Sequence, residues 1–363
     1  MDKELGGKMH KTLYEVAQYQ ADLRTSIQNT VNFQLLAGKS ILITGATGLV
    51  GSYLADMFSL WNSEQLSALN KIQIYVCSRR RINLEERFKG CWEANCLHFI
   101  EQDFSEQLHF DEQVDFIIHA ASNAHPKVFG LEPVETMTAN TRGMYNIMEY
   151  AFLHNVKRVL YISSSEIYGK KTTDGLYNES DYGYIDLLSS RSCYPISKRA
   201  AETMCVSFLK EYGCDVVIVR PGHIYGPTQT KEDSRASAQF LREASERKDI
   251  VMKSAGMQLR SYCHCLDCAT AIFVALLRGE TGKAYNISNH DSIVTIRQFA
   301  EICSSYVGRQ LLFELPSSEE ISTYNKMECS ALNSKLLEEL GWSGTWDLYN
   351  GIAESIDRIR ERI

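Results

Sequence analysis

A glycine turn near residue 45 constrains the fold of this chain more than any other feature of its sequence. An apolar run, Ser40–Thr44, predicts a strand, and the amphipathic run Ser52–Leu60 predicts a helix. Between them lie Gly45, Gly48 and Gly51 in a G-x-x-G-x-x-G spacing. Such a turn brings backbone and a helix N-terminus close to a dinucleotide pyrophosphate. We expect Gly45 to make the turn, Gly48 to admit the phosphates and Gly51 to let helix and strand pack closely.

The residues after the next strands extend this predicted dinucleotide site. The candidates are Thr47, Leu49 and Val50 in the glycine turn, Ser78, Arg79 and Arg80 after the second strand, Asp103 and Phe104 after the third, Ala120, Ala121 and Ser122 after the fourth, and Asn140. An acidic residue after the second strand would bind a ribose 2′-hydroxyl, whereas guanidinium groups suit a 2′-phosphate. We therefore favour NADP over NAD, although these arginines also fit a solvated loop or stacking on adenine. Asp103 fits either the adenine amino group or an ordinary turn.

Composition excludes several functional classes. The 363 residues carry a net charge of −7, so the composition does not indicate a basic surface for binding nucleic acid. No apolar stretch approaches the roughly 20 residues of a membrane helix. The first residues lack the apolar core of a signal peptide, and the eleven cysteines are scattered. We expect reduced thiols, a cytoplasmic protein and no membrane partner.

One cysteine cluster, Cys263-His264-Cys265-Leu-Asp-Cys268, allows two interpretations. The first is a metal site. The second is a strand through Tyr262–Cys265, in which Cys263 and Cys265 face one side and His264 the other. Because no second ligand pair lies nearby at zinc-finger spacing, we favour the strand and expect no metal.

The order of elements predicts an α/β fold, a Rossmann-type doubly wound parallel sheet. A helical extension over 9–35 comes first, and Gly38 ends it. This extension could pack on the main domain or on a second subunit. The predicted strands are Ser40–Thr44, Ile72–Cys77, Cys96–Glu101, Val114–His119, Val159–Ser163, Asp215–Arg220 and Ala284–Ile287. We predict an N-terminal extension over 1–38, a dinucleotide-binding domain over 39–222 with a return segment near 262–290, and a smaller substrate-binding lobe from 223–261 and 291–363.

Tyr194 and Lys198 form the predicted catalytic pair. The segment Tyr194-Pro-Ile-Ser-Lys198 puts a phenol and an ammonium at positions i and i+4, on one face of a helix. A neighbouring ammonium favours the phenolate, so we expect Lys198 to lower the pKa of Tyr194. Together with the glycine turn, this pair indicates hydride chemistry on an alcohol.

From about residue 39 to 350, the chain resembles the extended short-chain dehydrogenase/reductases that modify nucleotide-activated sugars. Its glycine spacing is similar to that of this family. Further ordered motifs carry the resemblance, namely His119-Ala-Ala-Ser122, Asn140-Thr-Arg-Gly143, Ser164-Ser-Glu-Ile-Tyr-Gly169, Arg220-Pro-Gly-His-Ile-Tyr-Gly-Pro227, Gly256-Met-Gln-Leu-Arg260 and Leu340-Gly-Trp342.

The resemblance implies roles for these residues. Tyr194 would take the proton from the sugar 4-hydroxyl while the hydride passes to a tightly bound NADP or NAD, and Lys198 would bind the nicotinamide ribose. Ser164 would hydrogen-bond the reacting oxygen. The substrate would be a nucleoside-diphosphate sugar, and many members of the family are homodimers that pair through two helices per subunit.

Glu166 narrows the predicted chemistry. A carboxylate here could remove the C5 proton once C4 is a ketone, although it could also cap the following turn. Ser-Ser-Glu resembles the Thr-Ser-Glu of GDP-mannose 4,6-dehydratases and UDP-glucuronate decarboxylases. Ser165 replaces the aspartate of dTDP-glucose dehydratases, so their general acid is missing. We rank a 4,6-dehydratase first, a decarboxylase second and a 4-epimerase third. An NADPH-dependent 4-ketoreductase and a non-catalytic sensor are further alternatives.

The remaining substrate-binding candidates are Ser165, His223 and Arg260. Arg260 matches the family's phosphate-binding arginine, whose planar fork suits two oxygens. His223 stands where the family usually has asparagine, so the nucleotide pocket could differ. Surface charge is the favoured interpretation of three more candidates, Lys231, Arg235 and Lys253.

Overall fold

The computed structural model describes residues 12–89, 96–122, 124, 126–171, 175–314, 316–317 and 327–362. Its α-helices are α1 (Ala17–Asn29), α2 (Leu49–Ser63), α3 (Arg81–Arg87), α4 (Pro126–Leu131), α5 (Pro133–Leu153), α6 (Cys193–Tyr212), α7 (Ala236–Ser245), α8 (Cys265–Arg278), α9 (Ile296–Val307), α10 (Lys335–Glu339) and α11 (Leu348–Arg362). Its strands are β1 (Ser40–Thr44), β2 (Gln73–Ser78), β3 (Leu97–Glu101), β4 (Phe116–His119), β5 (Arg158–Ile162), β6 (Val216–Pro221), β7 (His223–Tyr225), β8 (Ile250–Met252), β9 (Leu259–His264), β10 (Ala284–Ile287), β11 (Ile293–Thr295), β12 (Leu311–Phe313) and β13 (Cys329–Ser330).

A seven-stranded parallel sheet forms the centre of the molecule, in the order β10-β6-β5-β4-β1-β2-β3. The seven predicted strands are the seven strands of this sheet, with bounds that differ by at most two residues. Alternate residues of β1 face opposite layers: Ile41 and Ile43 pack in the cluster with α2 and α8, whereas Leu42 packs with α5 and α6. Because both faces of the sheet are covered, its strands are apolar throughout. The predicted doubly wound fold is confirmed.

A second group of elements lies after β6. Strands β7, β9, β11 and β13 form a small mixed sheet, and β8 pairs with β12. Helices α7, α9 and α11 contribute to a separate hydrophobic cluster around Phe299. Our division of the chain into an extension, a dinucleotide domain and a substrate lobe stays a proposal.

The N-terminal extension packs on the rest of its own chain. Helix α1 contacts α2 and α8, and Leu23 is completely buried. The Tyr19 hydroxyl donates to Asp56 over 2.7 Å, and Arg87 forms an ion pair with the same carboxylate. These contacts show an intramolecular role for α1.

The continuous helix predicted over 9–35 is wrong in its bounds, and residues 9–11 lie outside the described part of the chain. A 3₁₀ turn over Leu13–Glu15 precedes α1, and another over Phe33–Leu36 follows it. The helix ends because Thr30 is extended and Asn32 has a left-handed φ of 65°.

The cysteine cluster also differs from its predicted strand. Strand β9 ends at His264, which accepts the N–H of Leu266, and Cys265 begins α8. Cys263 and Cys265 therefore lie in different elements, and their alternation does not continue. The described residues hold no group of three metal-ligating side chains. Ten of the eleven cysteines are described, and these ten are unpaired. Among the described helices, none has the length and apolarity to cross a membrane.

Candidate active site

The glycine turn packs closely against two neighbouring backbones. Gly45 has a φ of +65°, and a side chain there would meet Ala120 and Ala121 backbone atoms at 2.8 Å. A Cβ at Gly51 would lie 2.4 Å from the carbonyl oxygen of Gly45. Gly48 is the N-cap of α2, whose first N–H groups, at Leu49 and Val50, have no acceptor within the helix. The turn therefore leaves room and donors for a phosphate, which fits a dinucleotide.

Thr44 joins the glycine turn to the end of β4. Its hydroxyl accepts the N–H groups of Ala120 and Ala121 over 3.1 and 3.0 Å, so it donates to His119 Nδ1 at 2.8 Å. Burial lowers the pKa of His119 to about 3, and this imidazole is neutral. Sequence reasoning missed Thr44, although a polar residue at the end of an apolar strand is a signal for such a role.

The other cofactor-site candidates lie at the carboxyl ends of β2 and β3. Ser78 ends β2, and Arg79 and Arg80 are exposed after it, without a carboxylate partner among the described residues. Asp103 accepts hydrogen bonds from the N–H and the hydroxyl of Ser105, as an ordinary turn residue does. Phe104 is buried against His119.

A chain of hydrogen bonds connects Ser122 and Asn140 to the helix of the predicted catalytic pair. The Ser122 hydroxyl donates to Asn140 Oδ1 over 2.8 Å, and Asn140 Nδ2 donates to Ser197 Oγ over 2.9 Å. Ser197 in turn donates to the carbonyl oxygen of Tyr194 over 3.1 Å. Two predicted site residues thus orient the first turn of α6.

Helix α6 carries Tyr194 and Lys198, and both side chains are buried. Lys198 Nζ lies 5.8 Å from the Tyr194 ring centroid and donates to the carbonyl oxygen of Ile162 over 2.8 Å. Burial raises the pKa of Tyr194 to about 12, and the charge of Glu166 adds to this. Burial also lowers the pKa of Lys198 to about 7. The expected lowering of the tyrosine pKa by Lys198 is wrong for this structure, because burial disfavours both charged forms.

Ser164, Ser165 and Glu166 follow β5 and reach the same site. The Ser164 hydroxyl lowers the pKa of Tyr194, against the larger effect of burial, and it accepts the N–H of Glu166 as the N-cap of a 3₁₀ turn over Ser165–Tyr168. Ser165 is buried within this turn. The Glu166 carboxylate does not cap the turn but pairs with Arg191 Nη2 at 3.0 Å. The charge of Glu166 also acts on the Tyr194 phenol, whose pKa it raises.

Sequence reasoning missed Arg191 and Phe129. Arg191 lies in the 3₁₀ turn over Ser190–Ser192, immediately before α6. Its guanidinium stacks over the Phe129 ring, which in turn stacks on Tyr194. A charge three residues before the tyrosine is a signal for Arg191, whereas nothing in the sequence distinguishes Phe129 from a core residue.

Two further arginines face the site from the second group of elements. Arg235 pairs with Asp233 at 2.6 Å, and its charge acts on Tyr194. Surface charge is therefore the wrong interpretation of Arg235, although it suits the exposed Lys231. Lys253 is partly buried. Arg260 is almost completely buried, donates to the carbonyl oxygen of Leu259 and has no carboxylate partner among the described residues.

The charges of both arginines act on His223. Burial, with the charges of Arg260 and Arg235, lowers its pKa well below the ordinary value, so the imidazole is neutral. Its Nδ1 is buried and has no hydrogen-bond partner in the described part of the chain. The two guanidinium groups supply positive charge for an anionic ligand, and the neutral imidazole can hydrogen-bond such a ligand without adding a charge of its own.

Comparison with known proteins gives consistent results. Residues 41–288 match the model of the NAD dependent epimerase/dehydratase family. The chain is 29% identical to UDP-glucuronic acid decarboxylase 1 of Xenopus tropicalis, over 98% of this chain and 82% of the relative.

Two solved structures share the fold. One is a UDP-glucuronic acid 4-epimerase of Bacillus cereus in complex with UDP-glucuronic acid and NAD, with a TM-score of 0.75, 21% identity and coverage of 89% of this chain and 99% of that one. The other is a dTDP-glucose 4,6-dehydratase of Streptomyces venezuelae with NAD bound, with a TM-score of 0.73, 21% identity and coverage of 89% and 97%.

Proposed function

The chain belongs to the NAD-dependent epimerase/dehydratase family of nucleotide-sugar enzymes, and on that premise we propose that it decarboxylates a nucleoside-diphosphate hexuronate. The substrate class is that of UDP-glucuronate. We rank this reaction ahead of the 4,6-dehydration that the sequence alone favours. The reasons are the charges around Tyr194 and the identity of the relatives.

The protein's own groups would act on C4 of the sugar. Tyr194 would take the proton of the 4-hydroxyl, and Ser164, whose hydroxyl favours the phenolate, would hold the same oxygen. Lys198 would hold the nicotinamide ribose, and the glycine turn the pyrophosphate. Bound NAD would supply the hydride acceptor and return the hydride later. The other predicted contacts of the cofactor and substrate remain proposals.

The Glu166–Arg191 ion pair is the observation that carries the proposal. A 4-keto sugar with a carboxylate on C5 is a β-keto acid, and it loses carbon dioxide without protonation of a leaving group. Loss of the C6 hydroxyl instead requires an acid. Here the carboxylate of Glu166 is engaged by a guanidinium, and the residue before it, Ser165, is not an acid.

The distribution of cations supports the same substrate. The charges of Arg191 and Arg235 act on Tyr194, and that of Arg260 interacts with Glu166. Guanidinium groups bind diphosphates and carboxylates well. A nucleoside-diphosphate hexuronate carries both anions. The Xenopus tropicalis relative, which is a UDP-glucuronic acid decarboxylase, aligns with nearly the whole chain.

A 4,6-dehydratase is the second candidate, and one observation favours it. The charge of Glu166 raises the pKa of Tyr194, after the larger effect of burial, so the carboxylate is close to the phenol. A carboxylate in this place could take the C5 proton of a 4-keto sugar.

Mass spectrometry of products from UDP-glucuronate, UDP-glucose, GDP-mannose and dTDP-glucose tests the proposal. We expect UDP-glucuronate to lose the mass of carbon dioxide, and the variant Tyr194→Phe to yield no product. Loss of water from a neutral sugar would favour the dehydratase. An unchanged mass with altered stereochemistry would indicate a 4-epimerase, and stoichiometric consumption of a reduced cofactor would indicate a ketoreductase.

The cofactor of the family is NAD, and the solved structures described above contain it. The predicted use of a nicotinamide dinucleotide is confirmed, whereas the preference for NADP has no support from the comparisons. We also propose that the protein forms a homodimer. Helices α5 and α6 pack on each other and expose large apolar side chains, among them Phe152, Leu153 and Val206.

A further inference from the structure

The proposed base, Tyr194, is the last of four side chains in continuous contact, which we call the stack: Glu166, Arg191, Phe129 and Tyr194. Arg191 Nη2 lies 3.0 Å from Glu166 Oε1, and the guanidinium carbon lies 4.8 Å from the centroid of the Phe129 ring. Phe129 stacks almost parallel on Tyr194, with 4.4 Å between centroids and 18° between planes. One guanidinium therefore contacts both the carboxylate and the ring that supports the phenol.

The stack is anchored on both sides. Phe129 is 2% exposed, and the Cys193 thiol points to its carbonyl oxygen. Its short helix, α4, also reaches the second group of elements, because the N–H of Lys127 donates to Ser234 Oγ over 3.3 Å. Arg191 lies in the 3₁₀ turn immediately before α6, the helix that carries Tyr194. A movement of its guanidinium would therefore displace Glu166 and, through Phe129, the ring of Tyr194.

We propose that Arg191 is a positioning residue, which holds Glu166 and, through Phe129, the ring of Tyr194 in one arrangement toward the same sugar. This inference rests on the proposed function, in which Tyr194 acts on the substrate. A planar guanidinium can pair with a carboxylate through its edge while its face stacks on a ring. A lysine ammonium would keep the charge but not the plane.

Electrostatics agree with this role. Burial dominates the pKa of Tyr194, which Glu166 raises further and Arg191 lowers. Without Arg191, the Glu166 carboxylate would lose its ion-pair partner, and of the two arginines that lower the pKa of Tyr194 only Arg235 would remain. A misplacement of about 1 Å is enough to reduce a rate about 100-fold.

The test compares Arg191→Ala and Arg191→Lys with the wild type in steady-state kinetics on the substrate that the panel identifies. We expect Arg191→Ala to lower kcat about 100-fold, with a much smaller change in KM. Added guanidinium ion should restore part of that activity, whereas sodium chloride at equal ionic strength should not. Arg191→Lys should be intermediate and should not respond to guanidinium.

A matched control exists on the surface. Arg297 pairs with Glu301 over 2.9 Å and stacks on Phe313, so it has the same two kinds of contact, but on α9 in the second group of elements. Arg297→Ala should keep the wild-type kcat with or without guanidinium. Wild-type kcat in Arg191→Ala, or a loss that guanidinium does not restore, would overturn the positioning role.

Crystal structures of the two Arg191 variants separate this inference from the proposed function. Displacement of Glu166 and Phe129 in Arg191→Ala, or in Arg191→Lys should the alanine variant not fold, supports positioning. Unmoved side chains refute it. If the wild type converts no nucleotide sugar of the panel, the proposed function fails, and the crystal structures still decide the role of Arg191.

Discussion

At the scale of single residues, burial has the largest effect on the proposed catalytic pair. Tyr194 and Lys198 are both buried, and each charged form loses its hydration there. The phenol pKa is raised to about 12 and the amine pKa is lowered to about 7. The neutral pair is therefore the resting state at slightly alkaline pH. Formation of the phenolate needs a positive charge nearby, which oxidised NAD would bring.

The buried amine predicts a particular pH dependence of stability. The pKa of Lys198 is about 7 in the folded chain, against an ordinary value of 10.5. Between these values the unfolded chain binds a proton that the folded chain does not, so this lysine's contribution to stability rises with pH across that window. Lys198→Met has no amine that must lose a proton on folding. We therefore expect its free energy of unfolding to exceed that of the wild type by a few kcal/mol below pH 7, and this difference to shrink toward pH 10.

Urea denaturation at several pH values measures this difference. The comparison cancels the titration of the buried cysteines, which both proteins share. Lys210→Met, at an exposed position on the same helix, is the control and should show no such trend. A difference for Lys198→Met that stays constant from pH 6 to pH 10 would contradict the prediction.

At the scale of elements, the glycine turn depends on contacts that leave no space for a methyl group. Gly51 packs against Gly45 and Ala46, and Gly45 packs against the backbone after β4. The Thr44 hydroxyl at the end of β1 accepts two hydrogen bonds from the same backbone after β4. The turn thus joins β1, α2 and β4, and its shape is tied to the central sheet.

The variant Gly51→Ala tests this packing. Its Cβ would lie 2.4 Å from the Gly45 carbonyl oxygen and 2.9 Å from the Cα of Ala46, so the turn must move. We expect a loss of about 2 kcal/mol in the free energy of unfolding. We also expect the purified variant to retain less NAD, as determined by extraction and absorbance.

Gly143 provides the control for this experiment. It lies inside α5, where a Cβ would be 3.7 Å from the Phe104 carbonyl oxygen, an ordinary contact. Gly143→Ala should therefore be neutral or stabilising by up to about 1 kcal/mol, since alanine favours helices. Equal stability and equal NAD content in Gly51→Ala and the wild type would show that the turn tolerates a side chain.

At the scale of the whole molecule, helices α5 and α6 leave an apolar surface exposed on one side of the sheet. Phe152 and Leu153 on α5 and Val206 and Tyr212 on α6 are each at least 40% exposed. This surface is where we propose the second copy of the chain to bind.

The variant Val206→Glu tests the proposed dimer. A carboxylate in an apolar helix interface would be desolvated without a partner, so we expect a shift from dimer to monomer in sedimentation analysis. Leu66→Glu is the control, because Leu66 is fully exposed in the loop after α2. Two results would refute this interface: a dimer that survives in Val206→Glu, or a wild-type protein that is a monomer.

The amino-acid sequence by itself determined the features that depend on neighbours along the chain. The strand–glycine turn–helix unit, the seven apolar strands and the i, i+4 spacing of Tyr194 and Lys198 follow from local periodicity, which the fold preserves. The helical extension was predicted for the same reason, although its breaks at Val16 and Asn32 depend on backbone angles that the apolar pattern does not reveal.

The tertiary structure alone decided which distant residues meet and what burial does to their charges. Arg191 pairs with Glu166, and Phe129 covers Tyr194, only because β5, α4 and α6 converge at one edge of the sheet. Arg235 reaches the same place from the second group of elements. The pKa values of Tyr194 and Lys198 changed in the direction opposite to a simple ion pair, because desolvation depends on everything that packs around a group and not on its sequence neighbours.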